Sequence, residues 1–172
     1  MKSFKSFITS FALGLVLASA AYSQTSLTTL DGSRLDVQAQ NGKVVILAIG
    51  ASWLPLSSKQ ADISNAIAKR YAGKDVVVYF VATDSSNAKS KNFASDDTLK
   101  KFAFDKKVNA IVLRDPDAAI VTRNFKIEQV PSFVVLDRSG HLAGLPFGGI
   151  DADPNPRFDL MGRISKLVDT LF

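Results

Sequence analysis

The chain has 172 residues, 47% of them hydrophobic and 22% charged, with a formal net charge of +5 and no cysteine. This is ordinary globular material, enough for one sizeable core. It excludes disulfides and a lipid-anchored cysteine, and the scattered lysines and arginines form no dense patch of the kind nucleic-acid binding needs.

The first twenty residues read as a cleaved secretory signal. Lys2 and Lys5 make a basic start, Phe7 to Leu17 is an apolar run broken only by Thr9 and Ser10, and Ala18-Ser19-Ala20 supplies small residues for a peptidase. Cleavage after Ser23 fits nearly as well. A membrane anchor is the alternative, but the run is far short of the roughly 20 residues a spanning helix needs. Loss of Lys2 and Lys5 would lower the charge from +5 to +3. The expected mature protein carries one domain, residues 26–172, and is periplasmic or secreted, with no stable membrane insertion; without disulfides it must stand on its core alone.

Ser26 to Gln40, with turn signals at Asp31-Gly32-Ser33 and Gln40-Asn41-Gly42, predicts an N-terminal β-hairpin. Lys43 to Ile49 is continuously apolar and predicts a central strand covered on both faces. Pro55 to Tyr71 predicts a helix, with Ile63, Ala66, Ile67 and Tyr71 recurring at helical steps and Gly73 ending it. A second buried strand follows at Asp75 to Thr83, then a polar loop from Asp84 to Ser95 and a helix from Asp96 to Phe104. A short strand (Ala110 to Leu113) and a short helix (Asp117 to Phe125) come next, with Asp115-Pro116-Asp117 as turn and cap. Ser132 to Asp137 and Leu142 to Phe147 predict two strands joined at Arg138-Ser139-Gly140. Gly148 to Arg157 predicts a loop. Asp159 to Phe172 is an amphipathic helix with Leu160, Ile164, Leu167, Val168 and Leu171 on one stripe. Strands alternating with helices predict an α/β layered domain with a central mixed sheet flanked by helices.

Within this order, Val44-Val45-Ile46-Leu47-Ala48-Ile49 runs into Gly50-Ala51-Ser52-Trp53 and the turn Leu54-Pro55-Leu56-Ser57. Much later comes Gln129-Val130-Pro131-Ser132-Phe133-Val134-Val135-Leu136-Asp137 and the turn Arg138-Ser139-Gly140. Strand, tryptophan, four-residue turn, helix and a distant Val-Pro heading a strand resemble the thioredoxin superfamily, nearest its exported TlpA/ResA-like (redoxin) thiol–disulfide oxidoreductases. The resemblance spans essentially the whole mature chain, including the extra hairpin, and implies a thioredoxin-like fold. It places Leu54 and Ser57 where that family has its two redox cysteines, and Ala48 where it usually has an Asp or Asn. It also implies a cis peptide bond at Val130-Pro131, opposite the tryptophan turn, in a loop whose backbone pairs with an extended substrate chain.

Thiol–disulfide exchange needs an attacking thiolate and a resolving thiol. Neither a leucine nor a serine supplies one, so dithiol catalysis by this chain alone is excluded. Trp53, Leu54, Pro55, Val130 and Pro131 would surround a shallow apolar patch, and Lys89 and Lys91 are expected on its rim because ligands in α/β sheets gather outside the carboxyl ends of strands. The leading expectation is a non-catalytic peptide- or protein-binding, chaperone-like module. Two alternatives stand beside it: an oxidoreductase by ancestry, active only with a cysteine-bearing partner, and a structural subunit with a relic site. His141, the lone histidine, reads as an exposed hairpin residue rather than part of a triad. Asp151-Ala152-Asp153 alone is too little for a metal, and Gly148-Gly149 is not a phosphate loop. No cofactor is implied.

Overall fold

The computed structural model describes residues 25–150 and 159–172. The expected signal segment and Asp151-Ala152-Asp153, with most of the loop expected at 148–157, lie outside those residues. Seven strands form one mixed sheet: β1 (Ser26–Thr29), β2 (Arg34–Asp36), β3 (Val44–Gly50), β4 (Val76–Ala82), β5 (Ile111–Arg114), β6 (Ser132–Leu136) and β7 (Phe147–Gly148). Their spatial order is β2-β1-β5-β4-β3-β6-β7. β3 and β4 run parallel, as do β4 and β5, whereas β6 lies antiparallel to β3 with Ile49 opposite Ser132. The N-terminal hairpin forms as expected, turning through Gly32 at φ 88° and adding its first strand to the edge of β5.

The helices are α1 (Ser57–Arg70), α2 (Asp96–Asp105), α3 (Ala119–Phe125) and α4 (Leu160–Val168). β3 carries no polar residue because both its faces are covered. Val44, Ile46 and Ala48 join Phe80, Phe133 and the apolar stripes of α1, α2 and α4. Val45, Leu47 and Ile49 turn the other way and pack with Val81, Leu113 and Val134 under Val121 and Phe125 of α3. The period-two alternation of a strand thus feeds two cores at once. Each fully buried Phe or Leu in them contributes about 1.5–3 kcal/mol of transfer free energy.

Several boundaries differ from expectation, three of them with a clear local cause or consequence. α1 begins at Ser57, not Pro55, because Leu54, Pro55 and Leu56 complete a turn first: Leu54 N–H donates to the Ala51 carbonyl at 3.2 Å and Ser57 N–H to the Leu54 carbonyl at 3.1 Å. The strand expected from Leu142 to Phe147 shrinks to Phe147–Gly148, with a single bridge from Leu142 to Leu136. Gly144 at φ 75° breaks the extended backbone and Pro146 has no N–H to give a ladder. The last helix ends at Val168 rather than running on to Phe172. Its start is capped by Asp159, whose carboxylate accepts from Gly162 N–H at 2.8 Å.

Asp115 does cap α3, but from a distance. Pro116–Ala118 forms a short 3-10 turn, with Asp117 and Ala118 in the left-handed region. Across it the buried Asp115 carboxylate accepts from Ile120 N–H at 3.0 Å and Val121 N–H at 2.7 Å. Burial pushes its pKa above the usual carboxylate range, against the opposing pull of those two N–H groups.

Candidate functional site

The carboxyl end of β3 and the start of β6 meet because these strands pair, and this brings the tryptophan turn and the Val130-Pro131 loop to one end of the sheet. The Val130-Pro131 bond is cis. Trp53 is 50% exposed and Pro55 is exposed, whereas Leu54, Val130 and Pro131 are half-buried. The five residues expected to form an apolar patch are therefore grouped at the same edge, and each keeps part of its surface open. Lys89 and Lys91 are exposed in the loop after β4, which is closed on itself by the Ser85–Phe93 bridge.

Beneath this edge lies a buried polar network. The Gly50 carbonyl accepts from the Thr83 N–H at 2.8 Å and from the Thr83 hydroxyl at 3.0 Å. The Ala51 carbonyl accepts from the Ser57 hydroxyl. Ser57, one of the two positions matched to a redox cysteine, is thus wholly buried and used to close the turn. Its hydroxyl has no base beside it: the chain's one histidine, His141, is exposed at the opposite end of β6, 3.9 Å from Asp137. A hydrolytic triad is absent from this site. Ala48, the position matched to a usual Asp or Asn that could help move a proton, is buried against Phe80 and Phe133.

Two members of the network carry no signal in the sequence. Gln60, fully buried on α1, donates through Nε2 to the Ile49 carbonyl at 2.9 Å and to the Ser132 carbonyl at 3.1 Å. Its amide joins the end of β3 to the residue after Pro131, and it lies so close over Gly50 that any Cβ there would collide with Oε1. Asp84, placed by sequence at the start of a polar loop, is fully buried instead. Its carboxylate accepts from Ser52 N–H at 3.0 and 3.1 Å and from the Ser52 hydroxyl at 2.6 Å. Gln60 sits at helical spacing with the other buried residues of α1, Ser57, Ser64 and Ile67, but its polar side chain gives no core signal, and Asp84 belongs to no motif. Only the convergence of distant strands gives them partners.

A cleft of about 380 Å³ is lined by residues flanking the cis-proline loop, Ile127, Gln129 and Ser132 among them, together with Pro146 and Gly148. The Ser132 hydroxyl and Gln60 Oε1 are buried without hydrogen-bond partners. Among the described residues no three His, Asp or Glu side chains gather to hold a metal, and no helix is long and apolar enough to cross a membrane.

A mixed sheet between helix layers, a tryptophan turn leading into a helix and an opposed cis-proline define the thioredoxin-like class of protein. Within that class the chain belongs to the Redoxin family, whose model matches residues 7–151. The chain is similar in fold to a putative thiol:disulfide interchange protein DsbE from Chlorobium tepidum, at 20% identity and a TM-score of 0.67, covering 85% of this chain and 91% of that one. It is likewise similar to a thioredoxin-like protein from Aeropyrum pernix, at 18% identity, TM-score 0.66, with 86% and 89% covered. A secreted Mycobacterium tuberculosis disulfide oxidoreductase homologous to E. coli DsbE matches at 23% identity, TM-score 0.60, with 84% and 96% covered. No curated protein matches the sequence significantly.

Proposed function

We propose that this Redoxin-family protein is a non-catalytic module of an exported compartment that holds extended polypeptide at the face formed by Trp53, Leu54, Pro55, Val130 and Pro131. The observation that carries the reading is the contrast at one site. The thiol positions and the proton helper are hydrocarbon or a buried turn hydroxyl, yet Trp53 remains half-exposed on a turn fixed by hydrogen bonds opposite the cis-proline. A half-exposed tryptophan offers a large rigid contact surface at small entropic cost, and the cis-proline loop that leads into β6 lies at the same end of the sheet. Export rests on the basic-apolar-small pattern of the first twenty residues and agrees with the secreted relative.

Fluorescence tests it directly, because Trp53 is the chain's only tryptophan. Reduced, carboxymethylated ribonuclease A is an unfolded chain without tryptophan. Titrating it should shift and quench Trp53 emission saturably; an unchanged Trp53 emission would overturn the reading. The second reading, oxidoreductase chemistry with a cysteine-bearing partner, is favoured by the disulfide-oxidoreductase relatives in the same fold. Alone, the protein should not accelerate insulin reduction by dithiothreitol over buffer; clear acceleration would sink the non-catalytic reading.

A further inference from the structure

We propose that Asp84 is the positioning residue of the binding face: its buried carboxylate sets the tryptophan turn through Ser52 and so fixes how Trp53 is presented. This rests on the reading above that Trp53 belongs to a polypeptide-holding face.

Asp84 is fully buried, and a carboxylate so placed is costly unless its lone pairs are filled. The groups filling them belong to one residue, the neighbour of Trp53. Ser52 gives its backbone N–H to both carboxylate oxygens and its hydroxyl to Oδ1, the latter at 2.6 Å, a length typical of a charge-assisted bond. Immediately before it, Thr83 grips the Gly50 carbonyl with both its N–H and its hydroxyl. The two residues leaving β4 therefore hold the residues on either side of Ala51, and the backbone reaches Trp53 with little freedom. The guanidinium of Arg114 is turned elsewhere. It donates to the Asp84 and Ala94 carbonyls and pairs with Asp96 at 2.6 Å, leaving the Asp84 carboxylate to Ser52.

The Asp84 carboxylate serves neither of the elements beside it. It takes no part in capping α1, which starts five residues beyond Ser52 without a side-chain cap. The loop after β4 closes through Ser85, Asn92 and Ala94 backbone groups, so it does not need the Asp84 side chain. What the side chain reaches is the turn that bears Trp53.

The test uses the full mature chain and three variants. Asp84→Ala removes every acceptor, Ser52→Ala removes only the hydroxyl arm, and Asp84→Asn keeps an oxygen for the N–H and an amide for the hydroxyl. In the free protein, Asp84→Ala should raise acrylamide quenching of Trp53 about twofold and weaken binding of carboxymethylated ribonuclease A about tenfold, because the competent turn becomes a minor population. Ser52→Ala should do the same to a smaller degree while staying folded, which keeps the test decisive if Asp84→Ala does not fold. Asp84→Asn should restore both readouts. Folded Asp84→Ala or Ser52→Ala protein with wild-type quenching and wild-type affinity would overturn the proposal, as would Asp84→Asn behaving like Asp84→Ala. If the wild type itself does not bind the probe, the polypeptide-holding reading fails, and the quenching of the free proteins still decides the role of Asp84.

Discussion

β3 is two different environments along one strand. In its middle, Ile46, Leu47 and Ala48 meet only hydrocarbon from Phe80, Val134 and Phe133. At its carboxyl end the Ile49 side chain still packs in the apolar core, but the chain from the Ile49 carbonyl to Ser52, just beyond the strand, is held by polar groups: the Gln60 amide, the Thr83 and Ser57 hydroxyls and the Asp84 carboxylate. The middle resembles any packed core, tolerant of shape-preserving change and intolerant of lost volume. The end is held by directional bonds that contribute little net stability and cost much when broken. Half-satisfied buried polar groups are a poor way to stabilise a fold, and here Gln60 Oε1 and the Ser132 hydroxyl are left without partners. The reagents are gone, but the apparatus that positions the turn is present.

The largest expected effect comes from restoring the reagents. Leu54→Cys with Ser57→Cys should take insulin reduction from background to clear catalysis, with Leu54→Cys alone remaining at background because no resolving thiol is present. Leu54 is half-buried and Ser57 wholly buried, the asymmetry an attacking and a resolving sulfur need. An inert double variant would show that the end of β3 no longer holds a reactive geometry. Next, Phe133→Ala should cost about 3–5 kcal/mol in urea unfolding by opening a cavity in the apolar middle. Gln60→Ala, at the polar end, should cost about 1–3 kcal/mol because the Ile49 and Ser132 carbonyls lose a buried donor. If Gln60→Ala proved as costly as Phe133→Ala, the division of the strand into a volume-controlled and a bond-controlled part would fail.

The smallest effect is a pH dependence. Asp115 has its folded pKa raised by burial, so its contribution to stability is fully present below the unfolded carboxylate pKa and is lost as pH rises through the folded value. Urea midpoints measured from acid to neutral pH should therefore fall for the wild type relative to Asp115→Asn across that window. A parallel pair of curves would show that the Ile120 and Val121 N–H groups cancel the effect of burial, and a rise for the wild type that they outweigh it.

The sequence was sufficient for the order of elements, for the two-faced character of β3 and for the exclusion of dithiol chemistry, because each rests on local composition or on residue identity alone. The expected grouping of Trp53 with Val130-Pro131 came instead from the family resemblance, since nothing local joins two segments so far apart in the chain. Tertiary structure decided what lies underneath. Ser57 looks like a helix-start serine until the Ala51 carbonyl is found above it, and Asp84 looks like a loop residue until β4 carries it beneath Ser52. The break between Leu142 and Phe147 is likewise seen only in the folded backbone, where Gly144 takes φ 75° and Pro146 has no N–H for the ladder. Side-chain chemistry is local and can be read in one dimension. The satisfaction of a buried polar group depends on partners tens of residues away, and only the folded chain supplies them.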